Sequence, residues 1–439
     1  MGFARRAGRI AMAAGSLTAL LAVAACGGSS DSGGGAPAGG ASEDSAYNDH
    51  GPITYAAGKD TSGNVPKLIA QWNKEHPDEK VTFRELPDNA DQQRQQMLQN
   101  AQIKSDSMTV LSMDVVWTAE FAANQVVDEL PADSFNPDDY LPATIKTVTY
   151  FNKSYAFPTS SDGGLLYYRK DLLDKYKLEP PTTWDDLKKA CDTIQAGEKD
   201  SKLECFGGQY NKYEGLTVNF SEAVNSAGGV VVGEDGKPNV NTPEAKTGLD
   251  RLVNWFKDGT IPKGAITWQE EQGRQAFQNG TLIFHRNWPY VYALASKDDG
   301  SSKVAGKFDV APLPGETGPG VSSLGGHNMA ISKYGKNKGT AVDFIKWWNS
   351  EEIQKSNTLA TSNAPTLKSL YTDPDIIKKF AYMPILQKSI ETAQPRPVVV
   401  KYGDVTLAIQ DSAYSALQGQ TPSDQALSEL QTKLEGLIQ

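Results

Sequence analysis

Histidine and cysteine are scarce: four histidines (His50, His76, His285, His327) and three cysteines (Cys26, Cys191, Cys205) occur in 439 residues. The histidines are scattered with none of the spacings that hold a metal, so no metal site is expected. A G-x-S-x-G turn, a P-loop, an H-E-x-x-H helix and a calcium loop are also missing, which removes the usual enzyme signatures and any expected cofactor. Basic charge is short as well, with 43 Lys and Arg against 53 Asp and Glu and a formal net charge of −10. That balance argues against nucleic acid and anionic lipid as partners. Only one apolar run is long enough to engage a membrane, Ile10 to Ala25.

That run identifies a compartment. Arg5, Arg6 and Arg9 form a basic segment before it, and it ends Val23-Ala24-Ala25-Cys26. This is the pattern of a secretory signal, residues 1–25, with a lipobox whose Cys26 is cut free and acylated. Gly15, Ser16 and Thr18 interrupt the run, which disfavours a membrane span. Residues 26–50 begin with a Gly/Ser-rich tether that has no capacity to pack, so the body is expected to be lipid-anchored at the outer face of the cytoplasmic membrane. The remaining residues, about 390, suffice for two lobes with separate cores. Cys191 and Cys205 flank a polar loop, and export favours a disulfide closing it.

Along the body, Pro52–Ala57, Val81–Leu86 and Thr109–Met113 are expected strands, alternating with helices from Val65 and over Gln92–Lys104. The series predicts an α/β fold with a parallel, doubly wound sheet, in which ligands lie beyond the carboxyl ends of strands, where Asp114 falls. Ala156–Tyr176 predicts a transition between lobes: small residues Thr159 to Ser161, an acid at Asp162, the pair Gly163-Gly164, then a buried strand Leu165–Tyr168. An ordinary strand-to-strand turn is the plainer alternative. Helices are expected over Gly215–Gly229, Pro243–Asp258, Gln269–Gln278, Gly339–Asn349, Tyr402–Leu417 and Pro422–Ile438, the last with Thr421 as cap. Thr281–Phe284 and Met329–Ser332 are expected short strands.

Asp114, Asp162 and Arg396 could receive and donate hydrogen bonds to the hydroxyls of a polar uncharged ligand, with Trp288 and Tyr290 offering apolar ring faces. Each has a structural alternative: Asp114 as a helix cap, Trp288 as core, Arg396 as an ion pair tying two lobes.

Several stretches together resemble one family. They are SMDVVWTAEFAA (Ser112–Ala123), GGLLYYRKDLLDKY (Gly163–Tyr176), PPTTWDDL (Pro180–Leu187), YEGL (Tyr213–Leu216), RNWPYVYAL (Arg286–Leu294), VAPLPG (Val310–Gly315), SLGG (Ser323–Gly326) and PRPVV (Pro395–Val399). In order over nearly the whole mature chain, they resemble the carbohydrate-binding lipoproteins of ABC importers, extracellular solute-binding family 1, and within it the trehalose/maltose-binding group. The resemblance implies a two-lobe, periplasmic-binding-protein-like fold of the maltodextrin-binding type (class II) with a hinge. It places 51–161 and 307–363 in the N-terminal lobe and 162–306 and 364–439 in the C-terminal lobe. It further implies that Asp114, Asp162, Trp288, Tyr290, Gly326 and Arg396 line the interlobe cleft, with Tyr213 and Glu214 a looser match.

The chain departs from that pattern at His327, where the group has Trp, at Gln93 with Arg94 alongside, where it has Arg, and at Ser160, where some members have Tyr. The implied activity is binding without catalysis: a monomer captures a disaccharide or short oligosaccharide, such as a trehalose- or maltose-like α-glucoside. It then delivers the sugar to ABC permease subunits driven by a cytosolic ATPase. A sugar-sensing or adhesive lipoprotein and a glycoside hydrolase are the other classes compatible with these residues.

Overall fold

The computed structural model describes residues 47–438. Cys26, the signal 1–25 and most of the tether 26–50 lie outside the described residues. Strands β1 (Ile53–Ala57), β2 (Val81–Glu85) and β3 (Val110–Asp114) come first, followed by a two-stranded hairpin of β4 (Thr149–Tyr150) and β5 (Lys153–Ser154). Then come β6 (Phe157–Gly163), β7 (Leu165–Tyr168), β8 (Glu204–Gly207), β9 (Leu282–Asn287), β10 (Asp309–Ala311) and β11 (Leu324–Ile331). The larger strands build two sheets, ordered β2-β1-β3-β11-β6 and β10-β7-β9-β8.

The first sheet is buried on both faces because residue parity divides each strand between two cores. Tyr55 packs with Trp72, Phe344 and Trp348, whereas its neighbour Ala56 packs with Met97, Leu111 and Trp117. The second sheet does the same, Leu165 and Tyr167 facing one core and Leu166 and Tyr168 the other. The expected parallel arrangement holds for β1, β2 and β3. It does not hold beyond them: β11 runs antiparallel to β3, and β6 antiparallel to β11, so the sheet is mixed. Short-range patterning reveals β1–β3 through their intervening helices, but contains no sign of a partner more than 200 residues away.

Three other expectations shift. Phe157–Gly163 is a seven-residue strand rather than a turn, and the chain passes from the first sheet to the second through Gly164 alone. Asp309–Ala311 pairs with Leu166–Tyr168, so the return to the first sheet falls between Ala311 and Leu324, later than the expected 307. An extended segment such as Lys307–Pro312 carries no mark of which sheet edge it joins. At the last helix, Ser423–Leu437, the cap position is Pro422 rather than Thr421.

The crossing segments are knitted together. The Gly164 N–H donates to Ser322 Oγ at 2.6 Å, Gln394 N–H to Ser322 O at 2.8 Å, and Leu324 N–H to Gln394 O at 2.9 Å. A Cβ on Gly164 would lie 2.9 Å from both Arg286 Nη2 and Glu222 Oε1, so this junction needs glycine for room.

Cys191, on helix Trp184–Glu198, is disulfide-bonded to Cys205 of β8, both side chains buried. Closing a separation of 14 residues restricts the unfolded chain by about 3 kcal/mol. A Cys191→Ala/Cys205→Ala double variant should therefore lose about 3 kcal/mol in urea unfolding and become indifferent to reductant. Unchanged unfolding of the oxidised wild type in reductant would contradict this.

Candidate functional site

A cavity of ≈ 650 Å³ opens where the ends of the first-sheet strands meet the helices and loops of the second. Asp114, at the carboxyl end of β3, reaches it beside Gly326 and His327 of β11, which pairs with β3 at His327↔Asp114. Asp162 enters from β6, Trp288 and Tyr290 from the loop after β9, Tyr213 and Glu214 from the start of helix Glu214–Ser226, and Gln93 from helix Ala90–Gln102. Arg396 completes the group from the third crossing. Ten of the eleven expected residues thus come together. Arg94 does not line the cavity: it is turned onto Glu120 in a bidentate ion pair (Nε–Oε2 2.5 Å) beneath Gly403.

These residues are committed to different degrees. Arg396, 2% exposed, donates to Asp114 (Nη2–Oδ1 2.7 Å, Nη1–Oδ2 3.2 Å) and to Glu214 (Nη1–Oε1 2.5 Å). Glu214 also accepts from the Tyr402 hydroxyl and from Thr406 Oγ1 at 2.8 Å. Burial raises the Glu214 pKa to about 7, with Arg396 opposing and Asp114 adding to the rise. Gln93 is buried and spent on the Pro87 and Asp88 carbonyls, at 2.9 and 3.2 Å.

Asp162 differs. Among the described residues its carboxylate has no hydrogen-bond or ion-pair partner, and it faces the cavity half-buried. Desolvation, reinforced by Asp114 and opposed by Arg286, raises its pKa to about 7. A carboxyl held above its unfolded value near 3.9 favours folding less as pH climbs from about 4 through 7. Asp162→Asn should accordingly match wild type near pH 4 and exceed it by about 1–2 kcal/mol at pH 8 in urea melts. A variant less stable than wild type at pH 8 would reverse the assignment.

The aromatic residues are held from behind. Arg286 lies over the Trp288 ring at 3.9 Å and is itself fixed by Glu222, at 2.7 Å from Nε and 2.5 Å from Nη2. The Tyr290 hydroxyl donates to Glu271 Oε1 at 2.7 Å, and Glu271 pairs with Arg274. The Tyr213 hydroxyl is buried beside Glu270 with no bond of good geometry. Glu270 and Glu271, both on the cavity wall, were not legible as site residues. Their only local signal is a place in the first turn of helix Glu270–Gln278, where acids are ordinary.

Residues 56–355 match the family described as bacterial extracellular solute-binding protein. The chain belongs to that family. As a solute-binding protein it is 34% identical over 365 residues to a "Probable ABC transporter-binding protein" of Deinococcus radiodurans, covering 81% of this chain and 86% of that one. The Bacillus subtilis "Galactooligosaccharide-binding protein" is 25% identical, over 87% of this chain and 88% of the other. Among solved structures, maltose-bound T. maritima MalE3 superposes with a TM-score of 0.84 at 33% identity, covering 88% of this chain and 100% of that one. That likeness confirms the two-lobe architecture for this solute-binding protein.

Proposed function

We propose that the protein is the extracytoplasmic receptor of an ABC sugar importer, which captures a disaccharide or short oligosaccharide, of the trehalose- or maltose-like α-glucoside type, between its lobes. The observation that carries this is Asp162: a carboxylate without a partner among the described residues, in the same cavity of ≈ 650 Å³ as the rings of Trp288 and Tyr290. Carboxylate acceptors suit sugar hydroxyls, and ring faces suit the C–H side of a pyranose. The maltose-bound and galactooligosaccharide-binding relatives support the ligand class.

The lobes are taken to divide at Gly164, between Ala311 and Leu324, and near Gln394, where the crossing segments hydrogen-bond. Contacts made by ligand to both lobes favour the closed state through their differential binding energy. No bond is made or broken. The closed form then meets the permease subunits and their cytosolic ATPase, with a lipid on Cys26 keeping the receptor at the membrane.

Calorimetric titration of the mature protein with trehalose, maltose, sucrose and longer maltodextrins tests the reading. One of them should bind near micromolar, about −8 kcal/mol. Trp288→Ala, which removes about 2–3 kcal/mol of buried ring contact, should weaken that binding about 30- to 140-fold. Binding of no sugar sinks the function, and unchanged affinity in Trp288→Ala sinks the site.

A further inference from the structure

The cavity wall carries more negative charge than its own cations answer. Asp162 and Glu270 both line it, and neither has an ion-pair partner among the described residues. Burial raises the pKa of each, and the cation felt by both is Arg286. That guanidinium is already committed: two nitrogens bind Glu222, Nη1 donates to Gln209 Oε1 at 3.0 Å, and its face covers Trp288. Arg396 is shared between two carboxylates, Asp114 and Glu214, and forms no ion pair with Asp162 or Glu270, although its buried Nε is left without a hydrogen-bond partner. Lys59, Lys297 and Lys379 also line the cavity, but none forms an ion pair with Asp162 or Glu270. A second observation lies beside Glu270. Tyr213 is 1% exposed and lines the cavity, and its hydroxyl sits next to Glu270 without a hydrogen bond of good geometry.

A neutral sugar could donate hydroxyls to these carboxylates but would leave their charge uncompensated in a partly desolvated place. An ammonium group would compensate it, and a hydrogen bond between charged groups is roughly twice as strong as one between neutral ones. The Tyr213 oxygen can accept from the same group, and the ring of Tyr290 adds a face that attracts cations.

We propose that the cleft selects a saccharide bearing a protonated amine, an amino sugar whose ammonium is received by one of the two unpaired carboxylates, Asp162 or Glu270 with the Tyr213 hydroxyl beside it. The proposal rests on the reading of this cavity as a sugar site and narrows the class of sugar. It also implies that sugars bearing a carboxylate are rejected by the same uncompensated charge.

The test is calorimetry on the mature protein at about pH 8, where Asp162 is ionised. The probes are trehalose and maltose, each of their singly amino-substituted analogues, the corresponding glucuronate-bearing disaccharides, and choline and spermidine as cations without a sugar. At least one amino analogue should bind about 10-fold or more tightly than its parent. The gain should shrink with added salt and disappear in Asp162→Asn or in Glu270→Gln, whichever carboxylate receives the ammonium, while the glucuronates bind weakest. If trehalose or maltose binds and every amino analogue is no tighter, this proposal falls while the sugar-receptor reading stands. If no saccharide binds, whether or not choline or spermidine does, both fall. A gain retained in both folded variants, checked by thermal melting, also overturns it.

Discussion

Arg396→Met is expected to destabilise the protein by about 3–5 kcal/mol at pH 8, because it leaves two buried carboxylates facing each other without their shared cation. The side chains of Asp114 and Glu214 are 13% and 4% exposed, and that of Arg396 is 1% exposed. Methionine fills a similar length of chain, so lost charge rather than lost volume dominates. The sign of the pH dependence follows from what Arg396 now does at Glu214, which is to hold down a carboxyl that burial pushes up. Without it the folded pKa of Glu214 rises further above its unfolded value near 4, and the penalty is complete only when pH exceeds the raised value. Acidification protonates one of the pair and removes much of the penalty. Urea midpoints at about pH 8 and pH 5.5 read this directly, and the deficit should narrow at the lower pH. A deficit below about 1 kcal/mol at pH 8, or one equal at both pH values, would refute the account. Adding Asp114→Asn and Glu214→Gln to the variant should restore much of the loss, since the buried charge is then gone.

This triad also bears on ligand binding. Asp114 ends a strand of the first sheet, Glu214 opens a helix packed on the second lobe's core, and Arg396 spans them from the third crossing. Both Asp114 oxygens accept from Arg396, and Asp114 Oδ1 also accepts from Val116 N–H at 3.2 Å. Sugar hydroxyls would have to share acceptors already in use there, whereas Asp162 has its full capacity free. The two alternatives open for Arg396 in the sequence, ligand contact and interlobe tie, therefore weigh towards the tie, and the larger ligand role is proposed for Asp162.

Much of this was legible in the sequence where the signal is local. Tyr402–Leu417 and Pro243–Asp258 are helices at the residues their periodicity marks, because four-residue spacing of apolar side chains and a Thr242 cap act over one or two turns. The segments that resemble a family brought ten of the expected site residues to one cavity, since short motifs such as RNWPY preserve position as well as composition. What stayed illegible depends on distant pairing. Phe157–Gly163 holds Pro158, Thr159, Ser160, Ser161 and Gly163, poor strand formers all except Thr159, and becomes a strand only because β11 supplies a ladder from residues 324–329. Arg94 was legible as a basic side chain beside the cleft, but nothing nearby in sequence announces Glu120 as its partner.

Gly326→Ala should cost about 4 kcal/mol, combining backbone strain with an irreducible clash. Gly326 has φ +111°, a conformation that side-chain-bearing residues rarely adopt, and an added Cβ would lie 2.2 Å from Ser160 O and 2.8 Å from Ser161 Cα. Those are backbone atoms of the paired strand β6, so relief requires opening the register at Gly326↔Ser161, beside the bulge after His327. The opening would also displace Ser160, whose Oγ accepts from His327 N–H at 3.0 Å, and Asp162 two residues on. Gly325→Ala is the informative neighbour. The three atoms nearest its Cβ would all be Trp288 ring carbons, at 2.8–3.3 Å, and it has no positive φ, so the clash displaces a side chain backed by Arg286 rather than a paired strand. It should therefore retain most of the stability while weakening sugar binding through Trp288, whereas Gly326→Ala loses stability first. Thermal melting and calorimetry on the two variants separate these effects. A Gly326→Ala protein as stable as wild type would mean that the β6–β11 pairing does not fix this corner of the cavity.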